Sequence, residues 1–72
     1  MAPGDADLGI TQVEELRERL AQISEDLADL AVSILSRAVD TAEEHERLQL
    51  ATLEKRVTKA RRAVEKATDC LS

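Results

Sequence analysis

A chain of 72 residues makes at most one domain, and chains this short rarely bury enough apolar surface to be stable alone. There is no Phe, Tyr or Trp, 35 % of the residues are charged and the net charge is −5, which removes base stacking and aromatic hot spots and gives no general affinity for nucleic acid or anionic lipid. The single cysteine, Cys70, excludes an internal disulfide and suits a reducing, cytoplasmic setting, while no apolar run is long enough to span a bilayer and the N-terminus lacks the basic and apolar regions of a secretory signal.

Residues 1–10 contain Pro3, Gly4 and Gly9 with Asp5 and Asp7, show no periodicity, and are expected to form a flexible acidic tail. A helical hairpin is expected over residues 11–72. Thr11-Gln12-Val13-Glu14 has the form of a capping box: Thr11 can accept from the N–H of Glu14, and the Glu14 carboxylate can reach back to the N–H of Thr11. Glu14, Glu15 and Glu18 place negative charge where a helix dipole favours it. The first helix is therefore predicted over residues 12–39. Its apolar residues, Val13, Leu16, Leu20, Ile23, Leu27, Leu30 and Ile34, recur in alternating steps of three and four, the a and d positions of a heptad repeat.

Residues 40–42 are predicted to be the turn, although they contain neither Gly nor Pro. Asp40 with Glu43, and Thr41 with Glu44, are overlapping candidate capping boxes. The heptad phase also breaks here. Ile34 and Leu50 are both a positions but lie two residues more than two heptads apart, so in one straight helix their seams would rotate apart by about 200°.

The second helix is predicted over residues 43–70. Its stripe, Leu50, Leu53, Val57, Ala60, Val64, Ala67 and Leu71, mirrors the first. Folding back near Ala42 pairs Val13 with Leu71, Leu20 with Val64, Leu27 with Val57 and Ile34 with Leu50, and sets the d residues Leu16, Ile23 and Leu30 opposite Ala67, Ala60 and Leu53. These fourteen residues are the expected intramolecular core. The alternative is one long helix per chain in an antiparallel dimer, which makes the same pairings between chains. Charge supports the antiparallel arrangement. Six acids (Glu14, Glu15, Glu18, Glu25, Asp26, Asp29) would lie alongside six bases (Lys55, Arg56, Lys59, Arg61, Arg62, Lys66).

A second heptad-spaced stripe on the first helix, Ala21, Ser24, Ala28, Ala31, Leu35 and Ala38, is rich in small residues, as a face that docks further helices would be. Ala28, Ala31, Leu35, Ala38, Val39 and Leu48 are the expected interface. It would join two hairpins in a homodimeric four-helix bundle or receive another protein's helix.

Little points to chemistry. His45 has Thr41, Ala42, Leu48 and Gln49 at helical metal-pair spacing, none a strong ligand, and Cys70 has no activating partner in the sequence. No enzyme activity, metal, cofactor or small-molecule substrate is expected. The basic block from Lys55 to Lys66 makes weak nucleic-acid binding an alternative. A third reading rests on the acidic tip, Asp40, Glu43 and Glu44. The tip resembles that of the coiled-coil factors that enter the secondary channel of bacterial RNA polymerase, whose tips carry a pair of Asp followed by Ala. Asp40 and Ala42 match the second half of that pattern, while Arg37 stands at the first Asp, and Cys70 alone cannot form the cysteine zinc module of some members. That resemblance implies a regulator acting on a macromolecular machine. Residues Glu14 to Ile34 are also superficially similar to the first helix of the all-helical chorismate mutases, but Ile34 replaces the Arg that chemistry needs, so no site carries over. The principal expectation is a small, non-enzymatic adaptor or structural protein acting through protein–protein contacts. The Ala-, Arg- and Asp-rich composition points to a GC-rich bacterial source.

Overall fold

The computed structural model describes the backbone of residues 3–72 and the side chains from residue 9 onward. Two helices, α1 (Pro3–Asp40) and α2 (Glu44–Cys70), pack against each other as an antiparallel hairpin. The chain thus folds back on itself, and the single long helix considered above is not adopted. The Cα envelope measures 63 × 14 × 13 Å, so α1 sets its length and two helix diameters its thickness.

The expected tail is largely helical, because α1 starts at Pro3 rather than near Gln12. Pro suits the first turn of a helix, where its missing N–H has no partner to lose. Gly9 has a negative φ and sits in the helix with open space around its α-carbon. A single interior Gly costs only about 1 kcal/mol, which is too little to stop a helix held at its other end. The Thr11–Glu14 capping box is consequently inside α1 and caps nothing.

Residues 41–43 form the turn, a length typical of helical hairpins. Neither expected capping box is made: Asp40 ends α1, and the N-cap of α2 is Glu43, in extended conformation with no side-chain cap. Thr41 acts instead. Its Oγ1 accepts from the Glu43 N–H at 3.3 Å, a local side-chain turn. Its N–H reaches back to the Arg37 carbonyl at 3.1 Å, and its own carbonyl accepts from Arg47 Nη2 at 2.9 Å. An arginine from the first turn of α2 thereby covers the C-terminal end of α1, where a cation is favoured. No residue among those described has positive φ, which explains how the turn manages without Gly.

Near the turn the a residues of the two helices pack together. Ala31, Ile34 and Val57 are buried, at 8, 5 and 8 % exposure, with Leu27 and Leu50 packed against them. Farther from the turn, Leu20, Val64 and Leu71 are half-buried. At the open end Val13 and Leu71 border one groove with Gly9, Ile10 and Glu14. The segment before Val13 therefore overhangs α2 by about ten residues, ~15 Å of helix.

Candidate interaction surface

The second layer of the hairpin differs from the a/d expectation. Beside the a residues, the chain closes over its e positions: Ser24, Ala31 and Ala38 of α1, and Glu54, Arg61 and Thr68 of α2, are all buried or half-buried. The d residues turn outward. Leu16, Ile23, Leu30 and Leu53 are between 41 and 50 % exposed, and Ala60 and Ala67 are exposed; Val13, the a residue at the open end, is 40 % exposed as well. Seven of the fourteen residues assigned to the intramolecular core thus stand in water to a large extent.

The cause lies in the side chains. Ser24, Ala31 and Ala38 are small, so the backbones can approach on that side. The α2 residues opposite are long or polar and find local partners. Thr58 Oγ1 donates to Glu54 Oε1 at 2.6 Å, and Thr68 Oγ1 donates to the Val64 carbonyl at 2.9 Å. Arg61 Nε lies 3.4 Å from Glu65 Oε1, although without hydrogen-bond alignment, and this covered N–H stays unsatisfied. Toward the open end the result is a polar, shallow groove between Ala21, Ser24, Glu65, Thr68 and Asp69, while nearer the turn the same side carries the exposed Leu35.

The opposite side is apolar. One ion pair shows that the d stripes of both helices border it together. Arg37 and Glu46 are the next d positions after Leu30 and before Leu53, and Arg37 Nε lies 3.9 Å from Glu46 Oε1. The layers along this side are therefore Leu16 with Ala67, Ile23 with Ala60, Leu30 with Leu53, and Arg37 with Glu46. The ion pair closes the furrow at the turn end.

The expected interface divides. Ala31 is buried, Ala28 and Ala38 are half-buried in the hairpin itself, and Leu35, Val39 and Leu48 are exposed. Leu35 and Val39 border a shallow groove on α1 with Val32, Ser36 and Asp40, whereas Leu48 lies in a separate groove on α2 with His45, Leu53 and Arg56. The structure does not join them in one patch. Val32, seven residues before Val39 and also exposed, belonged to neither stripe read from the sequence, although that spacing signals it. The tip residues Asp40, Glu43 and Glu44 are all exposed, interleaved with Arg37 and Arg47.

The acidic and basic blocks lie on neighbouring helices, but no ion pair joins them among the described residues. The pairs formed are Arg37–Glu46, at the turn, and Arg61–Glu65, within α2. Glu15, Asp26 and Asp29 on α1, and Arg56, Lys59 and Lys66 on α2, sit on the outer flanks, at heptad positions facing away from the seam. Among the described residues no three His, Cys, Asp or Glu are grouped to hold a metal ion, and no helix is long and apolar enough to cross a membrane. Cys70 is a free, exposed thiol.

No protein-family model matches the chain, and neither a curated protein nor a solved structure matches it.

Proposed function

We propose that the protein is a non-enzymatic interaction module that works by helix-to-helix docking, and that its docking surface is the apolar d side rather than the small-residue stripe. One observation carries this reading: four large aliphatic side chains, Leu16, Ile23, Leu30 and Leu53, line one side of a hairpin whose buried core, among the described residues, is Ala31, Ile34 and Val57. Isolated exposed leucines are ordinary, but a contiguous row marks a surface that another apolar surface covers. Each such side chain gains about 1.5–3 kcal/mol on full burial, and a two-helix chain needs that gain to be stable. Covering the row with two further helices makes a four-helix bundle with heptad-type packing. The free thiol of Cys70 suits a reducing compartment, in keeping with a cytoplasmic adaptor or structural role.

Sedimentation equilibrium of the wild type, Ile23→Glu and Leu35→Glu tests the assignment. The expected result is an assembled wild type and Leu35→Glu, with Ile23→Glu reduced to single chains. Association lost only in Leu35→Glu would move the interface to the groove of α1 bordered by Val32, Leu35 and Val39.

A further inference from the structure

We infer that the occupant of the apolar furrow is a second copy of this chain, docked with both turns at the same end so that α1 of each copy lies over α2 of the other. The inference rests on the docking surface proposed above and adds its partner and its orientation. The area favours a copy of the chain itself. The two helices overlap for about 27 residues, ~40 Å, and are together ~20 Å wide, so a face-to-face pair covers ~800 Å² on each copy. That is the size of a standard specific interface. A two-fold pair is also self-complementary in shape here, since each layer of the furrow sets a residue of α1 against a residue of α2. Ile23 with Ala60, and Leu16 with Ala67, put a large side chain on α1 and a small one on α2 in two of the three layers. Laying α1 over the partner's α2 brings large over small again, whereas laying α1 over α1 brings large over large.

Charge selects the same orientation independently. Two hairpins can meet face to face about a two-fold axis along the helices or about one across them. The axis across the helices stacks α1 on α1 and α2 on α2. It would set the flank bearing Glu15, Asp26 and Asp29, with Arg19 the one base among them, against its own copy, and the flank bearing Arg56, Lys59 and Lys66 against its own. The axis along the helices stacks α1 on α2, at matching heights. Asp26 and Asp29 then face the region of Arg56 and Lys59 in the other copy, and Glu15 faces that of Lys66. Among the described residues none of these six is held in an ion pair within its own hairpin. Complementary flanks set orientation in helical assemblies, and like flanks oppose it.

The native thiol reads out the geometry without a substitution. Cys70 is exposed near the open end of α2, so a spin label there reports the separation of the two open ends by pulsed electron resonance, with the mass measured on the same sample. With the turns together, two labels lie across one bundle, about 20 Å apart. A distance near 40 Å, one helix length, together with a dimer mass, would overturn the orientation and leave the docking surface standing. A single-chain mass at millimolar concentration would overturn both.

Discussion

The two long sides of the hairpin are cut from the same two helices and the same heptad repeat, yet they meet water differently. On one side Ser24, Ala31 and Ala38 let the helices close over polar residues of α2, of which Glu54 and Thr68 find hydrogen-bond partners within their own helix while the Arg61 Nε–H finds none. On the other, Leu16, Ile23, Leu30 and Leu53 remain half in water. The lesson is that large side chains on a heptad stripe do not by themselves decide which flank of a seam closes. Small residues on the neighbouring stripe can take that place, and the large ones are then left as a surface.

The largest effect is expected where the two sides share a layer. Ile34→Ala removes most of the best-buried aliphatic side chain and should cost about 2–5 kcal/mol, seen as a collapse of the thermal unfolding transition followed by circular dichroism. A stable Ile34→Ala would mean that the a layer is not the common spine of both sides. Next comes the contrast between the sides. Leu30→Lys should weaken self-association by about 100-fold or more, since the loss of burial is felt once per copy. Ala21→Lys, on the polar side beside Glu65 and Asp69, should leave the dissociation constant within about threefold. Equal effects in a dilution series would erase the distinction.

Smaller effects sharpen the ends of the furrow. Gly9→Ala places a methyl group in open space within α1 and should stabilise the overhang by up to about 1 kcal/mol, detected as slower amide exchange around residues 8–12. Unchanged exchange there would argue that the overhang is held by something other than helix propensity. The smallest change is expected from Arg37→Ala. Its pair with Glu46 is exposed and long at 3.9 Å, so its loss should cost no more than about 0.5 kcal/mol and vanish in high salt. A larger, salt-resistant loss would show that the ion pair organises the turn.

Much of this fold was legible in the residues. The mirror symmetry of the two stripes gives the pairing of the a positions, which a hairpin and an antiparallel pair of long helices share, and the phase break between Ile34 and Leu50 favours the reversal near Ala42 that the structure makes. The flank that closes was not legible, since a heptad template assigns the d residues to the seam whatever their neighbours weigh. The start of α1 was misplaced because Gly4 and Gly9 read as breakers, whereas an interior Gly only lowers helix stability slightly. Asp40 and Thr41 read as the starts of capping boxes. In three dimensions the Thr41 hydroxyl is already engaged by the Glu43 N–H, leaving no side-chain cap at all. As for the surface, its residues were identified, but as core. The missing information was the backbone approach permitted at Ser24, Ala31 and Ala38.

The short turn has a kinetic consequence. Pairings nearest to it close the shortest loops, and loop closure costs less for each residue removed. Ile34 with Leu50, and then Leu27 with Val57, can meet before any contact farther along, so the hairpin should assemble as a zipper from its bend outward. Substitutions at Ile34 and Leu50 should then slow folding, while those at Val13 and Leu71 should mainly hasten unfolding. In a stopped-flow series the two ends of one continuous stripe would fall on opposite arms of the chevron.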